Sequence, residues 1–319
     1  MELRRDALAV YRELAPCDAL APYIYAFFTF APAAASPPTS RPVLRETLFG
    51  PRDPFCSPLL ADGNVSLVLS SGRTCELGRG WRADPAGPRG RVIGPMTTVG
   101  EIDVRDSANA VGVYFRPGQA SAFLGMPIAE LADRIIGVED VWGSAGRALA
   151  LDVCELDGNA RVDRIEAALL ERLARDGSRT VGIDAAALAS RVLDCAGRVT
   201  VEQLANAAGV SRQHLTRAFR ERIGLAPKTY CSLARFQSGL AYAGRDGVDW
   251  AQVAAALGYA DQSHMIAEFR RFSGFTPQTL AAGRWFNPFI ERARSRALAA
   301  RDPRASAGRQ YARRSEARL

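Results

Sequence analysis

The chain holds almost no lysine and almost no histidine: Lys228 is the single lysine, and His214 and His264 are the only histidines among 319 residues. No apolar run reaches 18 residues, so no membrane-spanning helix and no membrane partner are expected. The opening residues Met1-Glu2-Leu3-Arg4-Arg5-Asp6 lack the continuous apolar core of a secretory signal, which points to the cytoplasm. Six cysteines (Cys17, Cys56, Cys75, Cys154, Cys195 and Cys231) stand singly, without a Cys-x-x-Cys pair. With only two histidines beside them, a metal site has no local scaffold, and no cofactor is expected. In a reducing compartment these thiols should stay reduced and mostly buried.

What is present in excess is arginine, and it is unevenly placed. Residues 1–184 carry 20 Arg against 24 Asp and Glu, a net of −4, whereas residues 185–319 carry 20 Arg and Lys228 against 10 acids, a net of +11. A basic C-terminal part beside a mildly acidic N-terminal part suggests a polyanion-binding module joined to something else. The scarcity of lysine looks like compositional bias, so the placement of arginine is more informative than its abundance.

The first ~115 residues read as β-rich by the strand and turn signals along them. Tyr23–Phe30, Val65–Leu69, Arg91–Ile93 and Ala110–Phe115 are apolar or alternating, and Pro, Gly and Asp-Gly separate them. Ala31–Pro42, with four prolines, and Arg82–Gly90 read as loops, and Asp62-Gly63 reads as a hairpin turn. From Pro117, suited to a first helical turn, the pattern becomes helical, with three- and four-residue spacing in Ile128–Ile136 and Val162–Leu173. The expected organisation is an N-terminal β-rich domain ending in helices (1–176) and a short linker (177–182). An almost wholly helical domain (183–286) and a basic, disordered tail (287–319) complete it. The fold class is therefore α+β, cupin-like or sandwich, followed by an all-α domain.

The helical part contains a duplication. At an offset of 49, Thr200-Val-Glu-Gln203 matches Asp249-Trp-Ala-Gln252, Leu204 matches Val253, Ala205 matches Ala254 and Gly209 matches Gly258. Thr or Asp would cap a helix whose Gln three residues on reaches back, and Gly would end it in a left-handed turn. After a one-residue insertion the offset is 50, pairing Ser211 with Asp261, His214 with His264, Phe219 with Phe269 and Gly224 with Gly274. Each unit is thus a capped helix, a tight turn and a second capped helix: helix-turn-helix 1 at about 200–223 and helix-turn-helix 2 at about 249–273. A linker helix over 228–243, about 24 Å long at 1.5 Å per residue, would join them. That spacing suits two second helices one DNA turn apart, about 34 Å.

Helical geometry sorts the faces. Leu215, Phe219 and Ile223 should face the core of the first unit, and Met265, Phe269 and Phe272 that of the second. Arg212, Gln213, Arg217 and Arg220 are left outward in the first, and Gln262, Ser263, Ala267 and Arg270 in the second. Arg and Gln pair bidentately with guanine and adenine edges in the major groove, so these residues are the candidate DNA contacts. One solvated Arg/Gln face is commonplace on a helix, but two at matching places in a duplicated unit are not. His214, His264 and Thr229 suit either packing or phosphate contact, because no converging partners favour catalysis or metal binding.

Residues from about Ile183 to Gly283 resemble the DNA-binding domain of the AraC/XylS family of transcription regulators. The stretches that carry the resemblance are Ser211-Arg-Gln-His-Leu-Thr-Arg-Ala-Phe-Arg with Gly224-Leu-Ala-Pro227, Gly258-Tyr-Ala-Asp-Gln-Ser-His-Met265, and Glu268-Phe-Arg-Arg-Phe-Ser-Gly-Phe-Thr-Pro277. The resemblance implies seven helices and two recognition helices in successive major grooves, with Gln213, Arg217, Gln262 and Ser263 where the family reads bases. Ala267 departs from it, standing where many members carry Arg. Implied partners are promoter or operator DNA in the nucleoid and, for an activator, RNA polymerase. A small-molecule effector and homodimerisation through the N-terminal part are implied likewise.

The N-terminal part resembles an uncharacterised domain found before such DNA-binding domains. Its matching pieces are Leu60–Leu67, Gly94–Thr98, Val111–Gly118, Leu131–Ile135 and Asp140–Gly143. Phe27, Phe28, Phe30 and Phe115 suit a pocket lining and a plain β core alike, the core being the simpler reading. An alternative class, a DNA-repair alkyl-transfer enzyme fused to an AraC-type module, would need an activated cysteine. Residues 1–176 offer neither a histidine nor a cysteine cluster to activate one, so no enzyme is expected.

Overall fold

The computed structural model describes residues 9–32, 39, 41–49, 56–70, 90–103, 110–176, 183–242 and 247–282. Strands β1 (Ala9–Leu14), β2 (Ile24–Pro32), β3 (Val43–Phe49), β5 (Ser66–Leu69), β6 (Gly90–Ile93), β8 (Ala110–Phe115) and β9 (Ile135–Gly137) form one sheet in the order β3-β1-β2-β8-β5-β6-β9. Every pairing in it is antiparallel, and β4 (Cys56–Leu59) with β7 (Gly100–Asp103) makes a separate two-stranded ribbon.

Strand alternation divides the aromatic residues between two faces. Phe27 and Phe115 join the core beneath helices α1 (Ser121–Leu124), α2 (Val138–Glu155) and α3 (Asn159–Asp176), with Leu149, Val153, Ile165 and Leu169 against them. Phe28 and Phe30 face the other way, into a cluster with Tyr11, Ala110 and Tyr114, where the Phe28 and Tyr114 rings stack at 4.5 Å. The four phenylalanines therefore line no common pocket; they belong to two cores separated by the sheet.

An ion-pair cluster anchors the helical layer. Arg41 donates from Nη2 to Asp163 at 2.6 Å and from Nη1 to Glu166 at 3.1 Å, while the Cys17 amide donates to Glu166 at 3.0 Å. Burial opposes ionisation of Glu166, but the hydrogen bonds from Arg41 and Cys17 outweigh it and hold the carboxyl below the usual carboxylate range. A depressed folded pKa stabilises the fold above the unfolded value, about 4.3, and that contribution is lost as pH falls through the folded value. Thermal melts of the Glu166→Gln variant should therefore show a shallower loss of stability on acidification than the parent. Parallel acid curves for the two proteins would contradict this.

The described residues from 183 onward are mainly helical: α4 (Ala185–Asp194), α5 (Val201–Ala207), α6 (Arg212–Ile223), α7 (Pro227–Leu240), α8 (Trp250–Ala256), α9 (Gln262–Ser273) and α10 (Pro277–Ala282). Among the described residues of this part there are seven helices, the number that the resemblance implies. Their shared core contains Leu215, Phe219, Ile223, Phe236, Met265, Phe269 and Phe272. Two residues from the sheet part, Leu60 and Ala61, are buried in that same core.

Several expectations need correction. Ile128–Ile136 is not a helix: a single 3-10 turn (Ile128–Leu131) gives way to β9, which pairs with β6. Asp133 breaks the helical path at φ 53°, a left-handed conformation that Asp tolerates, and accepts a 2.6 Å hydrogen bond from the Thr97 amide. Pro117 lies in a turn ahead of α1, not within a helix. Asp62-Gly63 closes no hairpin, because β4 and β5 on either side of it belong to different sheets. The linker helix begins at Pro227 and ends at Leu240. Cys231 is buried, but Cys17, Cys154 and Cys195 are only half-buried. The expected linker 177–182 and tail 287–319, Cys75, and most of the two expected loops lie outside the described residues.

Candidate nucleic-acid interface

Both helix-turn-helix units open on a side-chain cap, but the expected return bond from Gln is made only in the first. In the first, the Thr200 hydroxyl accepts from the Gln203 amide at 3.1 Å, and the Gln203 carboxamide accepts from the Thr200 amide at 2.9 Å. In the second, Asp249 accepts from the amides of Ala251 (2.9 Å) and Gln252 (3.2 Å). Gly209 and Gly258 take the left-handed turn in each (φ 65° and 76°). Ser211 then caps α6 and Asp261 caps α9, each accepting from the histidine amide three residues on, at 3.2 and 2.7 Å. Gly224 and Gly274 end the two helices at φ 87° and 77°.

The outward faces are where the periodicity put them. Arg212, Gln213, Arg217 and Arg220 are exposed on α6, and Gln262, Ser263, Ala267 and Arg270 are exposed on α9. The α6 face borders a cleft of about 550 Å³ whose opposite wall is Pro127 and Ala129, so the sheet part stands beside α6. The α9 face adjoins a cleft of about 360 Å³ that gathers Lys228, Thr229, His264, Ala267 and Arg271. His264 packs edge-on to Tyr259 at 5.4 Å. Thr229 is half-buried, and His214 stays exposed.

Beneath α9 lies a polar cluster that helical periodicity misses. Arg235 of α7 reaches Ser232 at 3.2 Å, approaches Glu268 of α9 at 4.0 Å, and lies 5.3 Å from the centroid of the Tyr259 ring. Glu268 is buried, although it sits between exposed Ala267 and Arg270 in the linear pattern. Burial, and then the Glu268 charge, push the Tyr259 phenol upward, so it stays neutral and serves as a packing platform for His264. The one warning in the sequence is the spacing: Arg235 falls one helical turn after Cys231 and Ser232, on the buried face that those two residues share.

Burial pushes the Cys231 thiol up to about 11, the opposite of an activated nucleophile. Among the described residues, no group of three or more His, Cys, Asp or Glu could hold a metal ion, and no helix is long and apolar enough to cross a membrane.

Residues 204–283 match the family described as a helix-turn-helix domain, and residues 12–137 match a domain of unknown function. The C-terminal part of the chain is a helix-turn-helix domain. Similar solved structures include an AraC-type transcriptional regulator from Chromobacterium violaceum, at 21% identity over 30% of this chain and 88% of that one, with a TM-score of 0.28. The C-terminal domain of AraT, a response regulator from Geobacillus stearothermophilus, matches at 18% identity over 35% and 93%, with a TM-score of 0.31. ToxT from Vibrio cholerae matches at 10% identity over 72% and 94%, with a TM-score of 0.38. No curated protein matches the chain. The helix-turn-helix match falls on α5–α10, and the match of unknown function ends where α2 begins.

Proposed function

We propose that the protein is an AraC-type transcription regulator that binds a bipartite operator, with α6 and α9 in successive major grooves of one DNA face. The observation that carries this reading is the pair of second helices, each capped at the equivalent position and presenting a polar, exposed face. Arg212, Gln213, Arg217 and Arg220 supply most of the base readout from the first unit. Gln262, Ser263 and Arg270 contribute less readout and more positioning from the second, because Ala267 cannot hydrogen-bond to a base edge. His214, His264 and Thr229 lie at the margins, where phosphate contacts are made. The protein acts through binding alone, in the nucleoid. Residues 1–176 sense an effector or dimerise, residues 183–286 bind DNA, and an activating member would engage RNA polymerase from the same complex.

Selection from a random duplex pool, followed by competition at fixed salt, tests this. The selected sequence should be bound on the order of 10³-fold or more tighter than random DNA. Equal affinities would mean a general DNA-coating protein, and methyl transfer from alkylated DNA to any cysteine would end the binding-only reading.

A further inference from the structure

The C-terminal ends of both recognition helices rest on one short segment of the sheet part. A Cβ on Gly224, at the end of α6, would meet Pro95 Cγ at 2.6 Å and Ile128 Cγ2 at 2.9 Å. A Cβ on Gly274, the equivalent position at the end of α9, would meet Val99 Cγ1 at 3.6 Å. Pro95 and Val99 are four residues apart in the same connection between β6 and β7. Between these two footings, Leu60 and Ala61 enter the helical core, and the Ala61 amide donates to the Phe272 carbonyl at 3.1 Å. Phe272 lies in the last turn of α9, where helix carbonyls have no partner within the helix, so the sheet part completes that helix end.

The pieces of this platform are tied to one another. The Met96 amide donates to the Asp62 carbonyl at 2.8 Å, the Asp133 amide to the Pro95 carbonyl at 3.0 Å, and the Gly94 amide to the Arg134 carbonyl at 3.0 Å. Three separate stretches of chain (60–63, 94–99 and 127–134) therefore move as a unit. Gly63 permits the close approach: a Cβ there would stand 2.6 Å from Cε2 and 3.0 Å from Cδ2 of Tyr230, a buried ring on α7.

We infer that this platform is a brace that sets the spacing and orientation of the two recognition helices, making Gly63, Pro95 and Val99 positioning residues for operator geometry. None of them touches the outward faces of α6 or α9. The inference rests on the bipartite reading above. Its consequence is specific: the two units engage DNA as one rigid body, so the protein reads the distance between half-sites as strictly as the half-sites themselves.

The test uses the full chain, the selected operator, the same operator with one base pair inserted between its halves, and each half alone. One inserted pair turns the second half by about 35°. Two rigidly joined modules bind a matched site about 10²–10⁴ tighter than either module alone, and that advantage disappears when geometry forbids joint engagement. The parent protein should therefore bind the inserted operator no better than its stronger half alone. Gly63→Ala, which needs no special backbone angle, should bind the original operator at least about tenfold more weakly and lose little further on insertion, with affinity for each half unchanged.

Val99→Asp, at the rim of the same contact, should behave likewise, and it carries the comparison if Gly63→Ala does not fold. A parent protein that tolerates the insertion, or variants that keep full spacing discrimination, would overturn the brace. Variants that bind more tightly than the parent would overturn it too, because the sheet part would then be an obstruction. If the parent prefers no bipartite sequence at all, the bipartite reading fails first, and the half-site measurements distinguish that failure from this one.

Discussion

Replacing Phe236 by alanine is expected to remove about 3–5 kcal/mol of unfolding free energy, the usual cost of truncating a fully buried aromatic side chain. Phe236, on α7, is 0% exposed and packs against α9. Its ring lies 5.0 Å from that of Phe269 in an edge-on arrangement and 5.3 Å from that of Phe272. Such pairs add about 0.5–1.5 kcal/mol beyond the area they bury. Neighbouring Leu240, Leu257 and Phe269 are held by their own helices and cannot collapse fully into the space, so a cavity term is added to the lost transfer energy. Domains of this size are stable by about 5–15 kcal/mol, so the loss is a large share of the total. Urea unfolding of Phe236→Ala beside Leu151→Ala, whose side chain is on the surface, checks it. A loss below about 1 kcal/mol for Phe236→Ala would mean that α7 and α9 do not share a core.

The elements that the sequence discloses are those that local signals decide. Helices α5, α6, α8 and α9 are legible because each carries its own cap, its own glycine stop and an apolar stripe at helical spacing, all within a dozen residues. Strand β8 is legible for the same reason, since Ala110–Phe115 is buried throughout and reads as a continuous apolar run. The failures occur where distant chain segments decide the structure. Ile128–Ile136 has helical spacing, yet Thr97 captures Asp133 in a left-handed conformation and β6 recruits Ile135 and Ile136 as a strand partner. Asp62-Gly63 has the composition of a hairpin turn, yet the glycine is there for Tyr230, a residue far along the chain. The buried Arg235–Glu268 approach is hidden for a similar reason: each residue alone reads as a solvated charge, and only the crossing of α7 over α9 brings them together.

Arg217→Ala is expected to weaken operator binding by about 1–3 kcal/mol, with the loss concentrated at one base pair of the first half-site. Arg217 is exposed on α6, one turn beyond Gln213, so its guanidinium can reach a guanine edge while the helix N-terminus approaches the backbone. A bidentate contact discriminates against the wrong base, so the variant should bind operators altered at that position nearly as well as the original. A phosphate contact behaves differently: its loss weakens every sequence alike and lowers the salt slope by about one unit. Affinities of parent and variant for all four bases at each position, measured at two salt concentrations, separate these outcomes. The equivalent residue on α9 supplies an internal control, because Ala267 occupies the same place in the duplicated unit with no group to donate. Ala267→Ser should therefore change affinity little, whereas Ala267→Arg should add discrimination at one base pair of the second half-site. If Arg217→Ala and Ala267→Ser had equal effects, the two units would be reading DNA with equal weight, and the asymmetry between Arg217 and Ala267 would have no functional consequence.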